Sequence, residues 1–134
     1  MIKLVVAGVL LAHGIGHILG PLQVLKVAVV NPQWSGDSWL LSGMAGTAIS
    51  NVVGVVLWSL ALAGFIGVAG IVVGWLPAGW WQPLAIASAI VSLVGLVLFP
   101  TAFPTFSTLG ALAVDAAVLG SVLWLHWTPD SLAS

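Results

Sequence analysis

Residues 44–75 read MAGTAISNVVGVVLWSLALAGFIGVAGIVVGW, a run without one ionisable side chain. A helix needs about 20 consecutive apolar residues to cross the hydrocarbon core of a bilayer. This run is too long for one upright helix and too short for two, so it is expected to tilt or to carry a turn beyond the lipid. Nothing in a water-soluble domain requires such a stretch. It decides the class of the whole chain, and the flanking sequence agrees with it.

Of the 134 residues 61% are hydrophobic and 4% are charged, and the mean hydropathy is +1.26. Soluble domains carry about 25% charged residues, so two basic and three acidic side chains leave lipid as the main solvent. The net charge of −1 with no basic cluster excludes nucleic acid as a partner. The absence of cysteine removes disulfides, thiolate metal sites and thiol catalysis.

Three more spans follow by the same length argument, at residues 4–30, 84–99 and 106–127, beside 44–75. The first begins after Lys3 and continues well past residue 20, longer than the apolar part of a signal peptide, so it reads as a retained span. Lys26 near its end is expected to snorkel to the interface. Between the spans lie Asn31-Pro32-Gln33-Trp34-Ser35-Gly36-Asp37-Ser38, then Leu76-Pro77-Ala78-Gly79, then a turn between Pro100 and Pro104. The expectation is an all-α integral membrane four-helix bundle in a single domain.

The tryptophans fit that layout. Trp34, Trp39, Trp75, Trp80, Trp81, Trp124 and Trp127 fall near span ends, where an indole keeps its ring in apolar surroundings and its N–H wet. An up-down bundle collects Trp75, Trp80, Trp81, Trp124 and Trp127 at one interface and Trp34 and Trp39 at the other. Lys3 and Lys26 are the only basic residues for the positive-inside rule. They flank the same helix, and the N-terminus is assigned to the cytoplasmic side.

Packing in lipid relies on close approach of backbones at small residues. Span one carries Gly8, Ala12, Gly16 and Gly20, each four apart and therefore on one helix face. Gly70 and Gly74 in span two, Ala85, Ser88, Ala89 and Ser92 in span three, and Ala116 and Gly120 in span four are the corresponding positions. These faces serve either the bundle itself or docking onto other membrane subunits or a second copy.

Ionisable groups in a span are costly and mark functional candidates. His13 and His17 in span one are four apart and share a side of the helix. At about 1.5 Å per residue from Lys3, His13 lies roughly 15 Å deep. Asp115 is near the middle of span four, and a closed bundle brings it to the histidines. Three readings fit the trio. In the first, the imidazoles hydrogen-bond to Asp115, Asn51 or backbone and fix helix register. In the second, a His–carboxylate cluster binds a quinone headgroup and exchanges hydrogen bonds or protons with it. In the third, His13 and His17 ligate a single metal ion, or one of them holds a haem or chlorophyll. His126, between two interfacial tryptophans, reads as a surface residue, and Asp37 and Asp130 as solvated charges.

The run Val9-Leu10-Leu11-Ala12-His13-Gly14, followed by Leu19-Gly20, resembles the first span of small bacterial DoxX-like membrane proteins. That resemblance implies four spans, residence in the bacterial inner membrane, and a role beside quinone-linked oxidoreductases, and it touches His13 and Gly14. Together these features lead to two expectations. One is a non-catalytic accessory subunit of a larger respiratory or photosynthetic electron-transfer complex, contacting membrane lipid and neighbouring subunits. The other is a quinone-, haem- or metal-associated redox protein acting through His13, His17 and Asp115.

Overall fold

A computed structural model describes residues 1–132. Among them the chain is all-helical, with helices α1 (Ile2–Gly16), α2 (Leu19–Val24), α3 (Leu41–Ala45), α4 (Thr47–Val72), α5 (Trp81–Leu98) and α6 (Thr105–Leu123). Two short 3₁₀ segments, Ala78–Trp80 and Pro129–Leu132, complete the ordered elements. Four helical stretches are long and apolar enough to cross a membrane: Ile2–Val24, Thr47–Val72, Ala78–Leu98 and Thr105–Leu123. The protein is a multi-pass membrane protein built as a four-helix bundle.

The first span is α1 and α2, with a two-residue turn between them. Proline lacks an N–H, and its ring collides with the carbonyl four residues earlier. For Pro21 that carbonyl belongs to His17, and the regular helix gives way to turns at His17 and Ile18. Gly20 N bonds to His17 O instead, at 3.2 Å. The sequence itself thus interrupts the regular helix at a histidine.

The span ends at Val24, earlier than residue 30. Lys26 adopts φ +59°, so the backbone reverses, and Val27 and Ala28 N–H fold back onto Leu22 O. The apolar Val27-Ala28-Val29-Val30 stretch therefore continues as loop. Gln23 fastens that loop. Its Oε1 accepts from Val30 N at 3.0 Å and Asn31 N at 2.6 Å, and its Nε2 donates to Ala102 O at 2.9 Å on the α5–α6 turn.

The second membrane helix likewise starts later than residue 44. Gly46 takes φ +87°, a left-handed conformation that glycine adopts at no steric cost, and it separates α3 from α4. At the other end Gly74, at φ +83°, stops α4. Trp75 N then closes onto Gly70 O at 2.8 Å and Gly74 N onto Ile71 O at 3.0 Å, a helix-terminating pair of the Schellman type. Gly74 is accordingly a terminator rather than a packing position.

Helix α4 is the axis of the molecule. It packs against α1 on one side and α5 on the other, and α5 packs against α6. In its membrane window 44% of residues are buried, against 22% for the first span and 17% for the last, so α1 and α6 are the lipid-facing walls. These two touch only sparsely, leaving a seam along the bundle. The core divides into two clusters. Phe65, Val68, Ile71, Val72, Trp81, Ala85 and Ala89 fill the end near Trp127, while Trp58, Leu96, Phe99, Ala102 and Phe103 fill the other. Trp58 is fully buried among Phe99, Phe103 and Trp34, at centroid distances of 5.1, 5.6 and 6.1 Å.

Exposed Trp39 and exposed Trp75, Trp80 and Trp124 mark opposite ends of the bundle. Trp81 departs from the belt. It is buried, stacks edge-on against Trp127 at 4.8 Å, and donates to Trp127 O at 2.8 Å. The interfacial aromatic here closes the end of the α5–α6 pair.

Candidate functional site

The small-residue face of α1 splits in two. Gly14 and Gly20, not Gly8 and Gly16, carry the close approach to α4. A Cβ at Gly14 would stand 2.8 Å from Phe65 Cβ, and one at Gly20 would run into the Trp58 indole. Gly8 and Gly16 have open space where a Cβ would go, and Ala12 between them is exposed. The bulk of Phe65 and Trp58 selects which glycines α4 meets. On the other helices Gly70 lies beside Leu76, Gly120 is half-buried near Trp124, and Ala116 is exposed.

Because Gly14 admits Phe65, α1 sits with its histidines over an aromatic floor. The His13 ring meets Phe65 edge-on at 4.5 Å, and the His17 ring lies nearly parallel to it at 6.3 Å. The imidazoles are 4.9 Å apart. From here they reach across the seam. His13 Nε2 is 3.0 Å from Asp115 Oδ1. Ser92 Oγ donates to Asp115 Oδ2 at 2.6 Å and lies 3.0 Å from His17 Nε2. The chain His13–Asp115–Ser92–His17 joins α1, α6 and α5 with α4 behind them, and the Asp115 carboxyl is fully buried.

The single Ser92 hydroxyl limits how protons can be arranged in this chain, and one arrangement that satisfies every contact has Asp115 ionised and both imidazoles neutral. Ser92 has one O–H. Donated to an ionised Asp115, it leaves Ser92 Oγ as an acceptor for His17, so His17 carries its proton on Nε2. His13 likewise donates from Nε2 to Asp115 Oδ1. Each neutral imidazole then keeps an unprotonated Nδ1.

Both rings border a cavity of about 210 Å³ between α1 and α6, lined by Ala12, His13, Gly16, His17, Leu19, Leu96, Phe103, Ser107 and Ala111. Beyond the His13–Asp115 bridge the seam continues as an apolar groove of about 370 Å³, walled by Val5, Val9, Val114, Leu125 and Trp127 among others. The two spaces follow each other along the α1–α6 seam, one beside the histidines and one beyond the His13–Asp115 hydrogen bond.

Of the residues expected at the site, His13, His17 and Asp115 come together and Asn51 does not. Asn51 lies beside a separate cavity at the loop end of the bundle, near Lys26 and Thr47. His126 is exposed after α6, and Asp37 is exposed in the α2–α3 loop, where its carboxylate accepts from Thr47 Oγ1 at 2.6 Å. Among the described residues no three His, Cys, Asp or Glu side chains are placed to hold a metal ion. Both Nε2 atoms are already engaged with the carboxylate and the hydroxyl.

Ser92 is the member that sequence reading did not single out. One signal separates it from Ser88 on the same face. Ser88 Oγ bonds back to Leu84 O at 2.7 Å, the usual local use of a helical serine, whereas Ser92 spends its proton across the bundle. No protein-family model, curated protein or solved structure matches this chain.

Proposed function

We propose that this protein binds a lipid-soluble molecule of the quinone class in the α1–α6 seam, serving as a subunit of a membrane electron-transfer system. The observation that carries this reading is the His13–Asp115–Ser92–His17 chain bordering a cavity that opens to the lipid. Buried ionisable groups are expensive in a bilayer and are kept where they meet a ligand or a proton. A quinone or quinol ring carries oxygens that pair with imidazole nitrogen, and its hydrocarbon tail suits the apolar groove along the same seam. A pocket of about 210 Å³ is below the roughly 300–1,000 Å³ of complete ligand sites. It therefore suits a single ring with its tail outside and disfavours a haem or chlorophyll.

A second reading, the non-catalytic accessory subunit, is supported by the exposed small residues of α1, Gly8 on the outer wall and Ala12 and Gly16 at the edge of the cavity. A flat, small-residue surface facing lipid lets a neighbouring helix approach closely. The two readings are compatible, since a subunit can bring a quinone site to its complex. The DoxX-like resemblance of the first span, residence in the bacterial inner membrane and a cytoplasmic N-terminus belong to this proposal.

The test is binding of a short-tail benzoquinone and its quinol to the protein in nanodiscs. Wild type is expected to bind at least one form saturably, and the His13→Leu/His17→Leu double variant neither, with its helix content unchanged. Equal binding by both proteins would overturn the reading.

A further inference from the structure

The link between His17 and Asp115 is a hydroxyl, and a hydroxyl can accept one proton while passing on another. Ser92 Oγ lies within hydrogen-bond distance of both, at 3.0 Å from His17 Nε2 and 2.6 Å from Asp115 Oδ2. His17 and Ser92 are themselves buried. The His17 ring lines the cavity. Its Nδ1 has no protein partner and is not among the fully buried polar atoms lacking one, which are Ser50 Oγ, Asn51 Oδ1 and Trp58 Nε1.

We propose that His17, Ser92 and Asp115 form a proton relay from the α1–α6 cavity to the carboxylate at the centre of the bundle, and that the cavity takes the hydroxyl-bearing, quinol or phenol form of its ligand. The second half rests on the membrane-ligand reading above; the relay does not. With Asp115 ionised and both imidazoles protonated on Nε2, each ring has an unprotonated Nδ1 as an acceptor, and a hydroxyl satisfies it where a carbonyl does not.

The step balances as a pure proton transfer. The ligand O–H breaks as an N–H forms at His17 Nδ1. The His17 Nε2–H breaks as a new Ser92 O–H forms, and the former Ser92 O–H breaks as Asp115 Oδ2–H forms. Negative charge leaves the carboxylate and appears on the ligand oxygen, and His17 remains neutral with its proton on the other nitrogen. Loss of a buried charge at Asp115 relieves its desolvation, which offsets part of the cost of the ligand anion. His13 donates to Oδ1 and holds the carboxylate so that Oδ2 faces Ser92. Around the relay α1 contributes His13 and His17, α6 contributes Asp115, α5 contributes Ser92, and α4 contributes Phe65. The other charged or titratable side chains, Lys3, Lys26, Asp37, His126 and Asp130, lie at helix ends and in loops.

The experiment is acid titration of the ligand-free protein in nanodiscs, with ring-¹⁵N-labelled histidine read by NMR and the Asp115 carboxyl read by infrared difference spectroscopy. In wild type, His17 should move from the Nε2–H to the Nδ1–H tautomer while still neutral, at the same midpoint as the protonated-carboxyl band of Asp115 appears. Ser92→Ala should abolish the tautomer change and separate the two midpoints, and Ser92→Thr should restore both. A wild-type His17 that stays Nε2–H while Asp115 protonates would overturn the relay without any variant having to fold. So would an unchanged coupled switch in Ser92→Ala. For the ligand, quinol should bind roughly tenfold tighter than quinone, the worth of about one hydrogen bond, and equal affinity would overturn that half. If neither form binds while the tautomer switch persists, the ligand reading falls and the relay stands.

Discussion

Asp115 has to be where it is because three other side chains are where they are. Its two oxygens take His13 and Ser92 at 3.0 and 2.6 Å inside a fully desolvated space. Asp115→Leu strands both donors, and leaving buried partners unmatched costs about 1–3 kcal/mol. Asp115→Asn keeps an acceptor for one of them and should lose less. Unfolding of the two variants in mixed detergent should place them in that order. Asp37 shows the opposite situation. It is exposed, and the Thr47 hydroxyl, followed by those of Ser42 and Ser35, holds its carboxyl below the ordinary carboxylate value. Such a group stabilises the folded state above its unfolded pKa and loses that contribution as pH falls through its folded value. Thr47→Val should therefore be less stable than wild type at neutral pH, with the difference closing as pH drops below the ordinary carboxylate range. Ser92 marks where residue-level reading stops. A serine in an apolar helix reads locally as a back-bonded hydroxyl, as Ser88 is. Only the placement of α5 between α1 and α6 turns it into a link.

At the level of the element, span existence was legible and span ends were not. Length and apolarity dictate the four helices, because lipid permits few alternatives for a run such as 44–75. The ends depend on single backbone reversals. Lys26 turns the chain although Val27–Val30 could extend a helix, and Gly46 divides α3 from α4 within what reads as one stretch. Pro21 places the interruption of the helix at His17, a signal present in the sequence and interpretable only through the carbonyl it displaces. The packing face of α1 was legible in kind but not in register. Of the stripe Gly8, Ala12, Gly16 and Gly20, Gly20 meets α4 closely and Gly8 and Gly16 do not, while Gly14, outside the stripe, makes the other close approach; the bulky Phe65 and Trp58 of α4 decide which. Gly14→Ala should destabilise by about 1–3 kcal/mol, since its Cβ meets the rigid root of Phe65 and the helices must part. Gly8→Ala meets nothing and should be neutral or stabilising by up to about 1 kcal/mol through helix propensity. Paired unfolding curves of the two variants check both signs. The Gly14 variant should also weaken any binding at the histidines, which rest on the same Phe65.

At the level of the whole molecule, α4 is a central post and α1 and α6 are walls that meet across a bridge rather than along a packed face. Two features follow from that asymmetry: a lateral opening into the bundle at the height of the histidines, and an outward α1 face of small residues. The meeting of His13, His17 and Asp115 was readable as a topological expectation from an up-down thread of four spans. The seam beside them was not, because a hydropathy pattern carries no information on how tightly two lipid-facing helices close. If the outward face docks a partner, Gly8→Leu, at a position away from the histidine cavity, should release the protein from its complex on a native gel while leaving its own fold and ligand binding intact. Comigration unchanged by that substitution would assign the face to lipid.

The most direct measurement is mass spectrometry of the small molecules that remain with the protein after gentle detergent extraction at native expression, for wild type and for His13→Leu/His17→Leu. Wild type is expected to retain a quinone-class molecule in near-stoichiometric amount, and the double variant, equally folded, to lose it. An identical complement of bound molecules on both proteins would contradict it and leave the histidines as a structural tie across the seam.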